Sequence, residues 1–278
     1  MRQLKSSVTK PIELETTQGA AVHPVTVWPD SEAHNDWIAE EVAVALSYNG
    51  VSHVVMMASP INLLSFAIGF SFTEGIIQKP EDIFDCEIKQ TPSGIEINLS
   101  ISQRCFSTLK MRQRQLSGKT GCGICGLESL QMMERNFKKI QSDTTFSHQA
   151  IQNAVDHIEG RQVLQELTGA VHAAAWCDKN GNILYIAEDV GRHNALDKLI
   201  GILLTEIELK IDQGFIFISS RVSFEMAQKT IALGAPLLVG VSAPTALALN
   251  EADKYKLAVV GFARHGRQVV YTGQQRIV

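Results

Sequence analysis

Residues 214–241 read GFIFISSRVSFEMAQKTIALGAPLLVGV, and this stretch decides the fold class. An apolar run over 214–219 is followed by a segment of helical periodicity over 223–233 and by a second apolar run over 236–241. Short apolar runs of this kind predict buried strands, and Gly234 stands where the helix should end. A strand, a helix and a second strand in succession predict a parallel crossover unit.

Further strands and helices alternate on both sides of this unit. Strands are expected over 170–177, 182–187, 257–263 and 268–271, and helices over 192–205 and 244–252. Ser147 is a favoured N-cap residue, so another helix is expected to follow it through residue 158. Such an alternation predicts a mostly parallel sheet with helices on both faces. Residues 147–278 are therefore predicted to form an α/β domain.

The N-terminal part of the chain has shorter elements. Asn49-Gly50 separates two apolar runs and predicts a hairpin, because both turn positions favour positive φ. Apolar residues at helical spacing follow over 61–73, and a second pair of strands is expected over 84–89 and 94–102. These elements predict a small α+β domain over residues 36–110.

Two segments lie outside the predicted domains. Residues 1–35 are polar and aperiodic and are expected to form a loosely attached lead-in. Residues 111–146 are expected to be a linker that is basic at its start.

Composition narrows the class of protein. Of the 278 residues, 45% are apolar and 19% are charged, which is typical of a packed globular protein. The net charge of −4 argues against a general nucleic-acid surface. No apolar run reaches the roughly 18 residues that a membrane-spanning helix needs, and the first residues lack the apolar core of a secretory signal. We therefore expect a cytoplasmic protein that contacts neither nucleic acid nor membrane.

Residues 118–126, GKTGCGICG, hold the thiol pair Cys122 and Cys125 among four glycines. Two thiols at this spacing can form a disulfide, bind a metal or relay a sulfur atom. The glycines restrain the backbone little, and Lys119 could lower the pKa of a neighbouring thiol. We therefore expect a mobile arm that carries a reactive sulfur. The other cysteines, Cys86, Cys105 and Cys177, are interpreted as small buried hydrophobes.

A thiol pair of this spacing is also found in other classes of protein. A structural zinc site needs four ligands, and the remaining cysteines do not form a second pair, although two copies of the chain could contribute one pair each. The zinc deaminase signature has proline before its first cysteine, whereas Cys122 follows Gly121, so that mechanism is excluded. Thiol–disulfide exchange remains an alternative.

Three predicted strand ends carry polar turns, over residues 188–194, 219–225 and 262–267. Ligands of α/β sheets bind at such strand ends, where guanidinium groups and helix N-termini complement phosphate oxygens. The arginines of these turns are candidates to line a pocket for a phosphorylated ligand: Arg192, Arg221, Arg264 and Arg267.

Other titratable residues near these turns have competing interpretations. His193 lies in a polar turn and is the stronger functional candidate, whereas His172 lies in an apolar strand and is equally well a core histidine. Asp189 is interpreted as a charge at a helix N-terminus, and Asp197 as part of an exposed helix face.

Long motifs occur along the chain: Gly118-x-x-Gly121-Cys122-Gly-x-Cys125-Gly126, His172-Ala-Ala-Ala-Trp176, Glu188-Asp-Val-Gly-Arg-His-Asn194, Ala195-Leu-Asp-Lys198 and Ser219-Ser-Arg-x-Ser223. In sequence and order they resemble those of the formate dehydrogenase accessory sulfurtransferases (FdhD). The resemblance spans roughly residues 36 to 275.

The resemblance implies a sulfurtransferase with a cysteine persulfide intermediate. The family accepts sulfur from an L-cysteine desulfurase and passes it to the molybdenum cofactor, in its bis-guanine-dinucleotide form, for the catalytic subunit of formate dehydrogenase. The resemblance further implies a homodimer whose larger domain is a cytidine-deaminase-like, mixed-sheet α/β domain with helices on both faces and without zinc or another resident metal.

The resemblance also implies roles for single residues. Cys122 maps to the persulfide carrier, and Cys125 could resolve or stabilise the persulfide. The cofactor-binding segment maps to Phe262, Ala263, Arg264, His265, Gly266 and Arg267, and Arg192, His193 and Arg221 would complete the site. A non-enzymatic cofactor chaperone, in which the cysteines are only redox-sensitive, is a further alternative.

Overall fold

A computed structural model describes residues 19–29, 32–117, 135–206 and 209–278. The strands in these ranges are β1 (Ala20–Val27), β2 (Glu32–Ala39), β3 (Val42–Tyr48), β4 (Val51–Ala58), β5 (Ile83–Thr91), β6 (Gly94–Ile101), β7 (His172–Asp178), β8 (Ile183–Asp189), β9 (Gly214–Ile218), β10 (Leu237–Gly240), β11 (Ala258–Arg264) and β12 (Arg267–Thr272). The helices are α1 (Leu63–Thr73), α2 (Gln103–Ser117), α3 (His148–Ile158), α4 (Val163–Thr168), α5 (Arg192–Thr205), α6 (Phe224–Leu233) and α7 (Ala246–Tyr255).

The C-terminal part is built on a six-stranded sheet in the order β12-β11-β10-β9-β7-β8. Strands β9, β10 and β11 are parallel neighbours, whereas β7 pairs antiparallel with both β8 and β9, and β12 pairs antiparallel with β11. The sheet is therefore mixed, as the resemblance implies, and not mostly parallel as the alternation of strands and helices alone predicts. Short turns join β7 to β8 and β11 to β12 and make these pairs antiparallel, whereas the connections that contain α6 and α7 are long enough for parallel crossovers.

Helices cover both faces of this sheet, which confirms the mixed α/β class. Apolar side chains of α5, α6 and α7 pack on one face, with Trp176 and Ile216 of the sheet in the same core. On the opposite face α3 packs against Phe215, Phe217 and Val239. Ser147 caps α3 as expected, since its hydroxyl accepts a hydrogen bond from the Ala150 amide at 3.0 Å.

The N-terminal part contains a four-stranded sheet in the order β4-β3-β6-β5. Asn49 and Gly50 have φ values of 49° and 76°, so the predicted hairpin turn is confirmed. The Asn49 side chain also accepts from the Ile101 amide at 2.7 Å and donates to its carbonyl at 3.1 Å, which ties the turn to the end of β6. Buried side chains of α1 and α2, including Phe66 and Phe106, cover one face of the sheet.

Two elements differ from the expected organisation. Strands β1 and β2 form a separate antiparallel ribbon, in which Ala20 pairs with Ala39, where residues up to 35 were expected to be aperiodic. Pro24, which cannot donate a ladder hydrogen bond, lies inside β1 and obscures its strand character. Helix α2 also runs through residue 110, because the basic stretch that follows is helical as far as Ser117.

Helix α1 crosses α5 at backbone distance and joins the two parts of the molecule. A Cβ atom on Gly69 of α1 would lie 1.8 Å from the Asp197 carbonyl oxygen, and one on Gly201 of α5 would lie 1.8 Å from that of Ser65. Neither position has room for a side chain. The crossing therefore depends on glycine in both helices.

Candidate functional site

A cavity of about 920 Å³ opens at the carboxyl ends of β8, β9 and β10. Val190, Ser219 and Val241 directly follow these three strands, and all three line it. We call it the strand-end cavity. This is the position at which α/β sheets bind their ligands, as the polar strand ends predicted.

His172 and Ser219 form the polar floor of the strand-end cavity. The Ser219 hydroxyl accepts from the Ala173 amide at 2.9 Å and lies 3.3 Å from His172 Nδ1. Burial lowers the pKa of His172, and the positive charge of Arg192 lowers it further. His172 is therefore neutral at pH 7, a state in which its ring can both donate and accept hydrogen bonds.

Helix α4 and the turn before it form the opposite wall. The Glu188 carboxylate accepts from the backbone amides of Leu164 at 2.9 Å and Gln165 at 2.8 Å, and the Gln165 side chain accepts from Val171 N at 2.9 Å. These bonds fix α4 against the ends of β7 and β8. Glu188, which belongs to a predicted ligand-binding turn, thus holds the wall of the cavity.

The predicted cofactor segment, residues 262–267, does not line this cavity but lies next to it. The Arg264 guanidinium lies 3.5 Å from the carbonyl oxygen of Val241, a cavity-lining residue. Ala263 is fully buried in the core, so its side chain is not available to a ligand. Arg264, Gly266 and Arg267 are exposed.

Helix α3 holds the tip of this segment. His265 Nδ1 lies 2.7 Å from the Asp156 carboxylate, and the Gly266 amide donates to the Gln152 side chain at 2.7 Å. Phe262 has a positive φ of 50°, and its amide donates to the Ser242 carbonyl at 3.2 Å. The segment is therefore tied on one side to α3 and on the other to the residues after β10.

His193 lies in a second cavity, of about 400 Å³, between α1, α5 and α6. We call this the junction cavity. His193 Nε2 is 3.1 Å from the Glu225 carboxylate, which also accepts from the Ser223 hydroxyl at 3.2 Å. Burial and then the charge of Arg192 lower the pKa of His193, although Glu225 opposes them.

The remaining predicted arginines lie between or outside the two cavities. Arg192 is half-buried at the start of α5, and its Nε is buried without a hydrogen-bond partner among the described residues. The positive charge of Arg192 lowers the pKa of both His172 and His193, so Arg192 lies between the two cavities. Arg221 is exposed in the turn after β9.

Two buried ion pairs hold the β8–α5 region. Lys198 Nζ lies 2.6 Å from Asp189, and neither side chain is exposed to solvent. Asp189 also accepts from the Gly191 amide at 2.8 Å, the Asn194 side chain at 3.0 Å and the Ser59 amide at 3.0 Å. Asp189 therefore sits at the start of α5, as expected, and also binds the N-terminal part of the chain.

The second pair joins Asp197 to Lys229 at 2.8 Å, and the Thr73 hydroxyl donates to Asp197 at 2.6 Å. Asp197 is 1% exposed, so its assignment to an exposed helix face was wrong. The reason is that α1 packs across α5 and covers the face that the helical pattern leaves polar. Lys229 and Thr73 carried no motif that the sequence analysis could have used.

Cys122, Cys125 and Lys119 lie outside the described residues. Described residues on either side of their segment bind the end of α1. Arg112 donates to the carbonyl oxygens of Glu74 and Gly75 at 3.3 and 3.2 Å, and Arg135 donates to that of Thr73. Thr73, Glu74 and Arg135 also line the junction cavity.

The three described cysteines are poor nucleophiles. Cys105 and Cys177 are buried, and Cys86 is half-buried. Burial raises the pKa of Cys86 to about 11. Burial also raises the pKa of Cys177 well above its ordinary value. At neutral pH neither of these two thiols is appreciably ionised.

The described residues contain no group of three His, Cys, Asp or Glu side chains placed to hold a metal ion. His157 and Glu159 have the His-x-Glu spacing of zinc deaminases, but within the described ranges no third ligand joins them. None of the described helices is both long and apolar enough to cross a membrane.

Comparison with known proteins identifies the family. The model of the FdhD/NarQ family matches residues 39–278. The chain belongs to the FdhD/NarQ family. The matched range includes the residues that line both cavities and the segment that holds the thiol pair.

Relatives match over most of their length. The chain is 48% identical to the "Sulfur carrier protein FdhD" of Cupriavidus necator over 242 residues, which is 87% of this chain and 84% of the relative. It is 44% identical to the protein of the same name from Variovorax paradoxus, over 88% of this chain and 87% of the relative.

A solved structure has the same fold. The crystal structure from Desulfotalea psychrophila, named as a formate dehydrogenase accessory protein, superimposes with a TM-score of 0.73. It covers 93% of this chain and 99% of its own, at 23% sequence identity.

Proposed function

We propose that this protein is a sulfur carrier for formate dehydrogenase, with Cys122 as the carrier residue. One observation carries the proposal: relatives that are 48% and 44% identical over most of the chain bear the name sulfur carrier protein FdhD. The described cysteines support the choice of residue by elimination, because they are wholly or partly buried and two have raised pKa values. Cys122 and Cys125 are the remaining thiols of the sequence.

The acceptance step is a thiol–persulfide exchange. The Cys122 thiolate attacks the terminal sulfur of a persulfide on an L-cysteine desulfurase. A new sulfur–sulfur bond forms on Cys122, the bond in the donor breaks, and the donor cysteine leaves as a thiolate that takes up the proton lost from Cys122. Lys119, three positions before Cys122, favours the thiolate form.

In the delivery step the molybdenum cofactor, in its bis-guanine-dinucleotide form, supplies the electron pair for a new bond to this terminal sulfur. The sulfur–sulfur bond on Cys122 breaks, Cys122 leaves with that bond's electron pair as a thiolate, and the cofactor is oxidised by two electrons. The cofactor is the substrate, and the catalytic subunit of formate dehydrogenase is its destination. The strand-end cavity would hold a nucleotide part of the cofactor, with Arg264 beside Val241 and Arg192 near His172 as the cationic groups for its phosphates. A cytoplasmic homodimer that docks both protein partners is part of the proposal.

The test is mass spectrometry after incubation with a desulfurase and L-cysteine. We expect the wild type to gain the mass of one sulfur atom on the peptide that contains Cys122, and Cys122→Ala to lose both this gain and the maturation of formate dehydrogenase. Cys125→Ala should still gain the sulfur atom if it acts only after loading. Cys86→Ala, which removes a half-buried thiol, is the matched control and should load normally.

Two results would contradict the proposal. Normal maturation with Cys122→Ala would remove Cys122 as the carrier and favour a cofactor chaperone. A disulfide between Cys122 and Cys125 that forms and reopens during turnover, without any sulfur gain, would favour the thiol–disulfide oxidoreductase.

A further inference from the structure

The solvent side of α2 is a basic surface that belongs to neither cavity. The fifteen residues of this helix include four basic side chains and no acidic one. The surrounding sequence has the same bias, because no Asp or Glu occurs between Glu96 and Glu128. In a chain with 29 acidic and 25 basic residues, a run of this kind concentrates positive potential at one place on the surface.

The C-terminal half of α2 exposes two cations on either side of an apolar side chain. Lys110, Met111 and Arg112 are all exposed, and Met111 exposes 62% of its surface. We call these three residues the α2 patch. Phe106 and Leu109 of the same helix are buried in the N-terminal core, which fixes the rotation of α2. Since successive helix residues are about 100° apart, Met111 faces outward and the two cations lie on its flanks.

Neither cation of the α2 patch is neutralised by a carboxylate within the described ranges. Lys110 lies over the Phe106 ring at 4.3 Å, and Arg112 uses a single nitrogen to donate to two backbone carbonyl oxygens. One of these carbonyls belongs to Glu74, whose carboxylate pairs with Lys229 at 3.6 Å. The helix dipole does not account for the two cations, because it acts within the last turn and both precede that turn.

The shape of the α2 patch indicates a protein as its partner. Small molecules bind in concave sites, whereas the patch is the exposed surface of a helix and none of its residues lines either cavity. Arginine and methionine are enriched in protein interfaces. Charge complementarity then specifies a partner with acidic side chains around an apolar group that covers Met111.

The α2 patch also lies close along the chain to the proposed carrier residue. Helix α2 ends at Ser117, about 10 Å along its axis from Lys110, and Cys122 follows five residues later. Five residues reach at most about 18 Å. A standard interface of about 800 Å² on each partner is roughly 30 Å across, so a protein bound to the patch can reach Cys122.

We propose that the α2 patch docks the protein that donates sulfur to Cys122, through an acidic surface of that donor. This inference rests on the proposed function, in which the donor is a cysteine desulfurase, and adds the place where the donor binds. The donor must bring its own sulfur within bonding distance of Cys122. In the delivery step the acceptor is a cofactor bound elsewhere on this protein, so formate dehydrogenase does not need this surface.

The test measures the rate of sulfur loading on Cys122 of the full-length protein from two donors. One donor is a cysteine desulfurase with L-cysteine, and the other is the small molecule cysteine persulfide. We expect Lys110→Glu to slow loading from the desulfurase about tenfold at about 20 mM salt, and less at about 300 mM, where the charges are screened. Lys110→Gln, which removes one charge instead of reversing it, should give an intermediate rate. Loading from cysteine persulfide should be unchanged, because it needs no docking surface.

Two further variants separate charge from apolar contact. Lys179→Glu is the matched control, since it makes the same charge change at an exposed lysine in the turn between β7 and β8, and it should load at the wild-type rate. Met111→Ser should slow loading from the desulfurase by the same factor at both salt concentrations, because an apolar contact is not screened.

Three rate measurements would overturn the inference: unchanged loading of Lys110→Glu from the desulfurase, equal slowing in Lys179→Glu, or equal slowing with cysteine persulfide. Normal loading of Lys110→Glu together with lost maturation of formate dehydrogenase would assign the patch to that enzyme instead. Dissociation of Lys110→Glu into smaller species in sedimentation would assign it to a second copy of the chain.

The same measurements distinguish this inference from the sulfur-carrier proposal. If the wild type loads from both donors and Lys110→Glu does so equally well, only the docking surface is wrong. If the wild type loads from neither donor, the sulfur-carrier proposal is contradicted, and this inference with it.

Discussion

Several charged residues of the β8–α5 motif form ion pairs and hydrogen bonds with other residues of the same chain. Asp189 and Lys198 are both fully buried, and Lys198 also donates to the Ser59 carbonyl oxygen at 3.0 Å. Removing one member of such a pair leaves an uncompensated buried charge. A long motif of polar residues can thus mark the interface between two parts of a molecule as well as a ligand site.

His172 gives the protein a defined acid sensitivity. Its pKa lies below the ordinary value of 6.5 in the folded state, so between these two values the unfolded chain binds more protons. Stability should therefore rise with pH through this window and no longer change on account of His172 above pH 6.5.

Urea unfolding of the wild type and His172→Asn at several pH values between about 5 and 8 measures this contribution. We expect the variant to lose part of the stability increase that the wild type shows as the pH approaches 6.5 from below. Identical pH dependence of the two proteins would show that His172 does not titrate as its burial indicates.

The crossing of α1 and α5 is the element on which the arrangement of the molecule depends. Gly69 and Gly201 bring the two backbones into contact, and the Thr73–Asp197–Lys229 group closes the same interface. Both the junction cavity and the anchor points of Arg112 and Arg135 lie next to this crossing.

Gly201→Ala should destabilise the protein by about 3 kcal/mol or more, because the new methyl group would overlap the Ser65 carbonyl and force the helices apart. Chemical denaturation measures the change. Gly160→Ala is the control, since nothing lies within 4 Å of the added atom, and its effect should stay within about 0.5 kcal/mol. Equal stability of the two variants would mean that the helices can separate without cost.

At the scale of the whole molecule, the parts built on the six-stranded and the four-stranded sheets share one interface. The Ser59 amide donates a hydrogen bond to Asp189, and the Thr73 hydroxyl donates one to Asp197. Each buried ion pair of the C-terminal part therefore has a hydrogen-bond partner in the N-terminal part. Neither part can unfold alone without exposing a buried charge.

We therefore expect a single cooperative unfolding transition in calorimetry, with equal calorimetric and van't Hoff enthalpies. Thr73→Val, which removes one hydrogen bond across the interface, should lower the midpoint of that transition without splitting it. Two resolved transitions in the wild type would show that the parts are energetically independent.

Local features were predictable from the sequence because they depend on neighbours along the chain. The Asn49-Gly50 turn, the Ser147 cap and the full extent of α5 follow from turn chemistry, capping and helical periodicity. The strand–helix–strand order around residues 214–241 predicted the α/β class, and the thiol pair and long motifs indicated the family.

The tertiary structure decided what depends on contacts between distant segments. It inserted β7 antiparallel beside β9, buried Asp197 beneath α1, and put His193 in the junction cavity while Arg264 lies next to the other. A polar side chain has the same sequence pattern whether it meets water, a carboxylate or a ligand, because its partner is chosen only when the elements pack.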